Sequence, residues 1–265
     1  MFRRESKNAA AGGRSPVPQR SLPHAGESLR EAIEGRAGDL LFWGLVPGIL
    51  GVLALQSWFQ YWWKTPPTPW FSTCLFVTSV VVSAWRWRVI ARELEPWQMG
   101  LRGERIVGEV LDGLRAKGYR VFHDIEEDGY NIDHVIVGPA GVFAIETKTR
   151  AKPSGRQAKI VYDGHRVLVN GIEPDRDPVG QAKAASRRVR GIIKEMTGKD
   201  VFVNPVVLYP GWWVDPPPRG AEVYVANEKY FAISFDREHA REVLAGEDVG
   251  VIAAGIDRYM RRERA

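Results

Sequence analysis

Residues 132–149, IDHVIVGPAGVFAIETKT, read as two short β-strands folded about a Gly-Pro-Ala-Gly turn. The flanking residues are those of an interior hairpin, yet Asp133, Glu146 and Lys148 stand where such a hairpin carries apolar or neutral side chains. Side chains alternate faces along a strand, so Glu146 and Lys148 project together with Ala144 beside them, while Phe143 and Ile145 project oppositely into the core. Asp133 lies on the partner strand, where hairpin pairing brings it toward Glu146. Two carboxylates and one amine then share a pocket.

That grouping has a chemical meaning. Two close carboxylates repel each other as ions unless a cation bridges them. Mg²⁺ takes one or two protein carboxylates, keeps several waters and completes its shell with phosphate oxygens; Mn²⁺ suits the same oxygen donors. A neighbouring lysine stabilises the charge that develops on phosphorus. The expected chemistry is phosphodiester hydrolysis with Asp133 and Glu146 as metal ligands and with Lys148 as a catalytic residue. Glu-x-Lys alone carries little, since Glu5-Ser6-Lys7 has the same spacing in the polar N-terminal stretch. The context discriminates: an Asp upstream on a strand joined through a glycine turn, and a helix before it that carries an inward acid.

That helix is LRGERIVGEVLDGLRAKG, residues 101–118, with Leu101, Val107, Val110, Leu111 and Leu114 at helical spacing. Glu104 falls on this stripe and Glu109 on the opposite face. An inward carboxylate is costly unless it pairs or reaches a metal, so Glu104 is either a buried salt-bridge partner or part of a site. Strands are expected at 119–125, 131–138 and 141–148. Further on, Asp177-Pro178 supplies an N-cap and a first-turn proline for a helix that turns Ala182, Ala185, Val189, Ile192 and Met196 inward. Gln181 lies in its first turns, and Lys183, Arg187, Arg190 and Lys194 form a basic stripe on another face. Residues 148–199 hold 13 Lys/Arg against 5 Asp/Glu, whereas the segments on either side are net acidic. A charge so polarised favours a nucleic-acid surface on the stripe, with a solvated helix face as the plainer explanation.

The chain divides into four pieces. Residues 1–39 form an N-terminal segment, disordered through about 28 and with a short helix at 29–39. Residues 40–63, LLFWGLVPGILGVLALQSWFQYWW, carry no charge, enough for a helix to cross a bilayer, and 70–90 form a second, weaker span. Residues 91–99 are a connector, and 100–265 one α/β domain. The short, proline-rich KTPPTP joins the spans as a hairpin, tryptophans crowd their ends, and arginines flank the outer ends, which places both termini in the cytoplasm of a cell-membrane protein with two spans. Cys74, the only cysteine, has no disulfide partner. His24, His123, His134, His165 and His239 show no metal-ligand spacing, and His134 faces away from the Asp133 side of its strand. Trp212 and Trp213, in GWWVDPPPRG, are open to base stacking, packing or a membrane-surface contact.

GLRGERIVGEVL (100–111), NIDHVIVGPAGVFAIETKT (131–149) and DPVGQAKAA (177–185) resemble the nuclease-related domain (NERD), a branch of the PD-(D/E)XK nuclease superfamily, over roughly residues 100–210. The resemblance implies a restriction-endonuclease-like fold, a mixed central sheet flanked by helices. It matches Glu104 to the acid of the first helix, Asp133 to the metal-binding Asp, Glu146 and Lys148 to the (D/E)XK pair, and Gln181 to the glutamine of the following helix. The expected protein is a membrane-anchored nuclease using Mg²⁺ or Mn²⁺ on nucleic acid, DNA in the first instance. The alternative is a tethered nucleic-acid- or protein-binding module that keeps these residues without turnover.

Overall fold

The computed structural model describes residues 26–63, 69–127, 129–152, 158–235 and 243–263; the expected N-terminal tail and the turn at 64–68 fall outside the described residues. Two long helices open the chain, α1 (Glu27–Trp62) and α2 (Trp70–Asp112). They run antiparallel. Trp58 Nε1 donates to Thr73 Oγ1 at 2.8 Å, Trp87 Nε1 to the Leu40 carbonyl at 3.2 Å, and the Arg86 guanidinium lies over the Trp43 ring. Both are long and apolar enough to cross a membrane. Leu41, Leu45, Leu55, Phe59 and Phe71 are among many large apolar side chains that point outward from the pair.

The segment read as a connector is helical. α2 runs unbroken through residues 91–99 with Pro96 inside it. An interior proline removes one backbone hydrogen bond and costs about 3 kcal/mol. The surrounding Ala, Arg, Glu, Leu and Gln are good helix formers, and Arg36 of α1 reaches across the proline, pairing with Glu93 at 3.1 Å and lying over the Trp97 ring. The short helix at 29–39 is likewise the first part of α1 rather than a separate element.

The domain that follows carries the strands β1 (Arg120–Glu127), β2 (Tyr130–Gly138), β3 (Gly141–Thr147), β4 (Lys159–Tyr162), β5 (Val167–Val169), β6 (Val203–Leu208), β7 (Trp213–Val214) and β8 (Tyr224–Ala226), and the helices α3 (Pro178–Thr197), α4 (Glu228–Ile233) and α5 (Gly246–Glu263). A five-stranded sheet has the order β1-β2-β3-β6-β8, antiparallel from β1 to β3 and parallel from β3 to β8. The fold is therefore mixed α/β with helices on the sheet, as the sequence leads one to expect. A three-stranded sheet, β5-β4-β7, packs beside it through Ile160, Tyr162, Trp212 and Val225.

Both faces of the large sheet are core. Val135, Val137, Val142 and Ala144 meet Ala185, Val189 and Ile192 of α3 and Ile252 and Ile256 of α5. Ile136, Ile145 and Val206 meet Val107 and Leu111 of α2 and Phe231 of α4. The sequence reading set Ala144 beside Glu146 and Lys148, on the face opposite the core; that face is core as well, and Ala144 is buried beneath α3. Helix α3 begins as expected, with Asp177 Oδ1 accepting from the Val179 amide at 3.0 Å and Pro178 in the first turn. A clamp ties it to the sheet and to α5: Arg188 donates to Glu127 at 2.6 Å and to Tyr259 at 2.7 Å, and Tyr259 donates to Glu127 at 2.9 Å.

Helix α2 approaches the end of β3 closely only because residue 103 is glycine. A Cβ there would lie 1.8 Å from Cγ2 of Thr149 and 3.3 Å from Pro210. Gly103→Ala is expected to cost about 1–3 kcal/mol through overpacking, read as a lower midpoint in thermal unfolding of the full chain in detergent. Adding Thr149→Ser removes the clashing methyl and is expected to recover part of the loss.

Candidate functional site

The site forms where a ladder ends. The β2–β3 pairing stops at His134↔Ile145, so Asp133 and Glu146 are the next positions across from each other. Instead of a backbone partner on β2, the Thr147 amide donates to Asp133 Oδ2 at 2.7 Å. Strand β3 is carried on from its other side, where Thr147 pairs with Leu208 of β6 and the Lys148 amide donates to the Leu208 carbonyl at 2.8 Å. Lys148 Nζ turns back to Glu146 Oε1 at 2.5 Å. The structure thus brings Asp133, Glu146 and Lys148 together.

Sequence reasoning missed Asp124. It lies on β1 between His123 and Ile125, which pair with His134 and Ile132, and therefore opposite Asp133. It is buried, its φ of 52° is rare for a residue other than glycine, and its Oδ1 accepts from Asn131 Nδ2 at 2.9 Å. The available signal was an aspartate inside a β-strand run, where that residue is depleted.

Glu104 completes an acidic cluster. It is half-buried on α2 and makes no ion pair among the described residues, while Glu109 faces water. Burial, then the charges of Asp124 and Glu146, push its carboxyl up to about 7, against a weaker pull from Lys148. Burial, then Glu146 and Glu104, hold the Asp133 carboxyl well above the usual carboxylate range, although the Thr147 amide and Lys148 oppose the rise. The first of the two readings left open for Glu104, a buried salt bridge, is not what the structure holds.

An all-oxygen donor set under mutual repulsion suits a hard dication such as Mg²⁺ or Mn²⁺, whose charge relieves that repulsion. As the side chains stand, with Lys148 on Glu146, no three His, Cys, Asp or Glu groups among the described residues converge to hold an ion. Helix α3 packs on β3 and carries Gln181, whose Oε1 is buried without a hydrogen-bond partner among the described residues and touches none of the carboxylates by hydrogen bond.

Beside the cluster opens a cavity of about 220 Å³ lined by Lys148, Thr149, Arg150, Arg176, Pro178 and Tyr209. Arg150 and Arg176 are exposed and form no ion pair among the described residues; neither was singled out from the sequence, beyond their place in the basic run. Tyr209 is buried, and its phenol is pushed up to about 12. The stripe on α3 is differently occupied. Lys183 pairs with Glu222, Arg190 and Lys194 both pair with Asp200, and Arg187 is exposed without an ion-pair partner among the described residues. His134 is buried, with Nδ1 2.9 Å from Nδ1 of His123, which contacts Asp112; this is the structural setting expected of it.

The mixed sheet thus ends in clustered carboxylates and a lysine beside a cavity lined by Arg150 and Arg176. Residues 99–210 match the family model of the nuclease-related domain. An uncharacterized protein of Bacillus anthracis is 34% identical over 65 residues, 23% of this chain and 30% of that protein, so the chain spans less than a third of the curated relative it matches. No solved structure matches the chain.

The raised carboxyl of Glu104 sets a pH dependence. Its folded value of about 7 exceeds the unfolded value near 4.3, so the folded state retains a proton that the unfolded state loses in this window. Stability of the metal-free protein is expected to fall as pH rises from about 4.5 to 7 and then to level off, with Asp124, Asp133, Glu146 and Lys148 as the surrounding charges. Glu104→Gln is expected to flatten that slope in thermal melts across the range; an unchanged slope would assign it to another group.

Proposed function

We propose that this protein is a membrane-anchored, metal-dependent nuclease that hydrolyses phosphodiester bonds in nucleic acid, DNA in the first instance. The observation that carries the reading is the Glu104–Asp124–Asp133–Glu146 cluster with Lys148 at the end of β3, inside the segment that matches the nuclease-related domain. Asp133 and Glu146, with the Thr147 carbonyl, would hold Mg²⁺ or Mn²⁺, and Asp124 lies close enough to share its charge. Bound there, the dication supplies charge neutralisation at the phosphate and a more acidic water.

The remaining steps belong to the protein. Lys148, released from Glu146, holds the attacking water and stabilises the negative charge that grows on the phosphate oxygens. Arg150 and Arg176 seat the phosphodiester in the cavity beside it. Glu104, poised near neutrality, accepts or returns a proton at the water, and Gln181 orients water or substrate through its unpartnered oxygen. Of the α3 stripe, Arg187 is open to phosphate directly, whereas Lys183, Arg190 and Lys194 engage it by exchanging a carboxylate partner.

The helical pair α1–α2 supports the anchoring part of the reading, because its outward apolar side chains need an apolar surround. Two spans with both ends on the cytoplasmic side place the domain at the inner face of the cell membrane. The ion pair between Lys148 and Glu146, and the lack of a preformed three-ligand group among the described residues, favour a second reading: a tethered module that binds nucleic acid without cutting it.

Lys148→Ala and Asp133→Asn are each expected to lower Mg²⁺-dependent cleavage of labelled DNA and RNA by about 10²-fold or more, with the fold intact by circular dichroism. Cleavage equal to wild type in both variants rules out the assigned site. Binding without cleavage in the wild type, unaffected by Mg²⁺ or Mn²⁺, selects the second reading.

A further inference from the structure

The paired tryptophans of the loop after β6 have opposite fates. Trp212 is buried, donates from Nε1 to the Arg150 carbonyl at 3.1 Å and lies under the Lys152 ammonium; Trp213 is 67% exposed. Trp213 forms one wall of a cleft of about 170 Å³, and Tyr230, 66% exposed at the start of α4, forms another, with Pro216 and Pro217 between. The cleft is about half the volume at which drug-sized ligand sites begin, which fits one flat ring system. Its walls are held in place. Trp213 Nε1 donates to Asp215 at 3.2 Å, and the Asn227 side chain accepts from the Tyr230 amide at 2.8 Å while donating to the Trp212 carbonyl at 3.2 Å.

The cleft and the cavity beside Lys148 are separate, but their linings are two strands apart in the same sheet. Thr147 on β3 pairs with Leu208 on β6, and Leu208 with Ala226 on β8, a lining residue of the cleft. Two strand spacings therefore separate them, about 10 Å, or roughly three stacked-nucleotide rises. Arg150 lines the cavity, Lys152 lies over the ring of Trp212, which precedes Trp213, and Lys229 precedes Tyr230; all three cations are exposed. The carboxylates nearest the cleft are engaged: Asp215 pairs with Lys159 at 2.9 Å, and buried Glu228 accepts from the Gly211 amide at 2.9 Å. A polyanion meets little repulsion there.

We propose that the Trp213–Tyr230 cleft stacks an unpaired base of a single-stranded nucleic acid whose backbone crosses Lys152 and Arg150 to reach the cavity beside Lys148. Aromatic platforms next to cationic tracks bind single strands in this way, because every base has a stacking face. A base inside a duplex is already stacked and must be extruded at a cost of a few kcal/mol, so the cleft selects single strands, ends and gaps over intact duplex. The inference rests on the reading of that cavity as the phosphodiester site, and it names the substrate form.

The test is fluorescence anisotropy of fluorescein-labelled oligothymidylate of roughly 15 nucleotides with the full-length protein in detergent, without divalent metal, beside a duplex of equal length. Trp213→Ala and Tyr230→Ala are each expected to weaken single-strand binding about tenfold, with Trp213→Phe near wild type and duplex binding changed little. Trp62→Ala, an exposed tryptophan on α1, serves as the control and is expected to bind as wild type. Equal binding by wild type and both alanine variants, or no oligonucleotide binding at all, overturns the proposal. Single-strand binding that both variants lose, together with cleavage that Lys148→Ala and Asp133→Asn leave untouched, upholds the cleft and sinks the catalytic assignment instead.

Discussion

The hydrogen bond from the Thr147 amide to the Asp133 carboxylate is the hinge of this architecture. A strand cannot leave its backbone donors unmet inside a protein, and here a side chain takes over where β2 stops supplying carbonyls. The substitution releases β3 from β2 while β6 keeps it extended, so Glu146 and Lys148 follow in a gap between strands rather than under a helix. Everything acidic in the site is gathered around that gap. The same bond opposes the desolvation of Asp133, so the carboxylate that ends the ladder is also the one whose charge the backbone supports.

The carboxylates are stabilised by their scaffold rather than by one another. Glu104 arrives from α2 because Gly103 lets the helix touch Thr149, and Asp124 arrives from β1 in a conformation that few side chains adopt. Each is held by packing that would be more favourable without a charge at that point. Strain and like charge are concentrated at one place inside an otherwise apolar core, the kind of local conflict that functional sites carry.

Local patterns carried far into the structure. The glycine turn and the alternation around it placed Asp133, Glu146 and Lys148, the helical stripe set Glu104 inward and Glu109 outward, and Asp177-Pro178 located the start of α3. What the sequence hid was of two kinds. Asp124 depends on backbone geometry and on register with Asp133, neither of which composition shows. Tyr209 and the fates of Trp212 and Trp213 depend on parallel pairings between distant segments, which bring β6 beside β3, β8 beside β6 and β7 beside β4, and Arg176 reaches the cavity from the loop before α3. The continuity of α2 through Pro96 was hidden because the compensation comes from Arg36, sixty residues earlier in the chain. Ala144 shows the limit of alternation: it assigns a face correctly, and both faces here are interior.

One helix carries both the second apolar stretch and the first acid of the site. Glu104 follows Ile90 by fourteen residues, which at 1.5 Å each sets this acid about 21 Å along the same rod. No loose joint intervenes, so the rod acts as a fixed ruler and also as an axle. A rotation of 100° equals one residue of helical phase, enough to swing Glu104 away from Asp124. The position of Glu104 beside Asp124 is therefore tied to the apolar pair through a single helix.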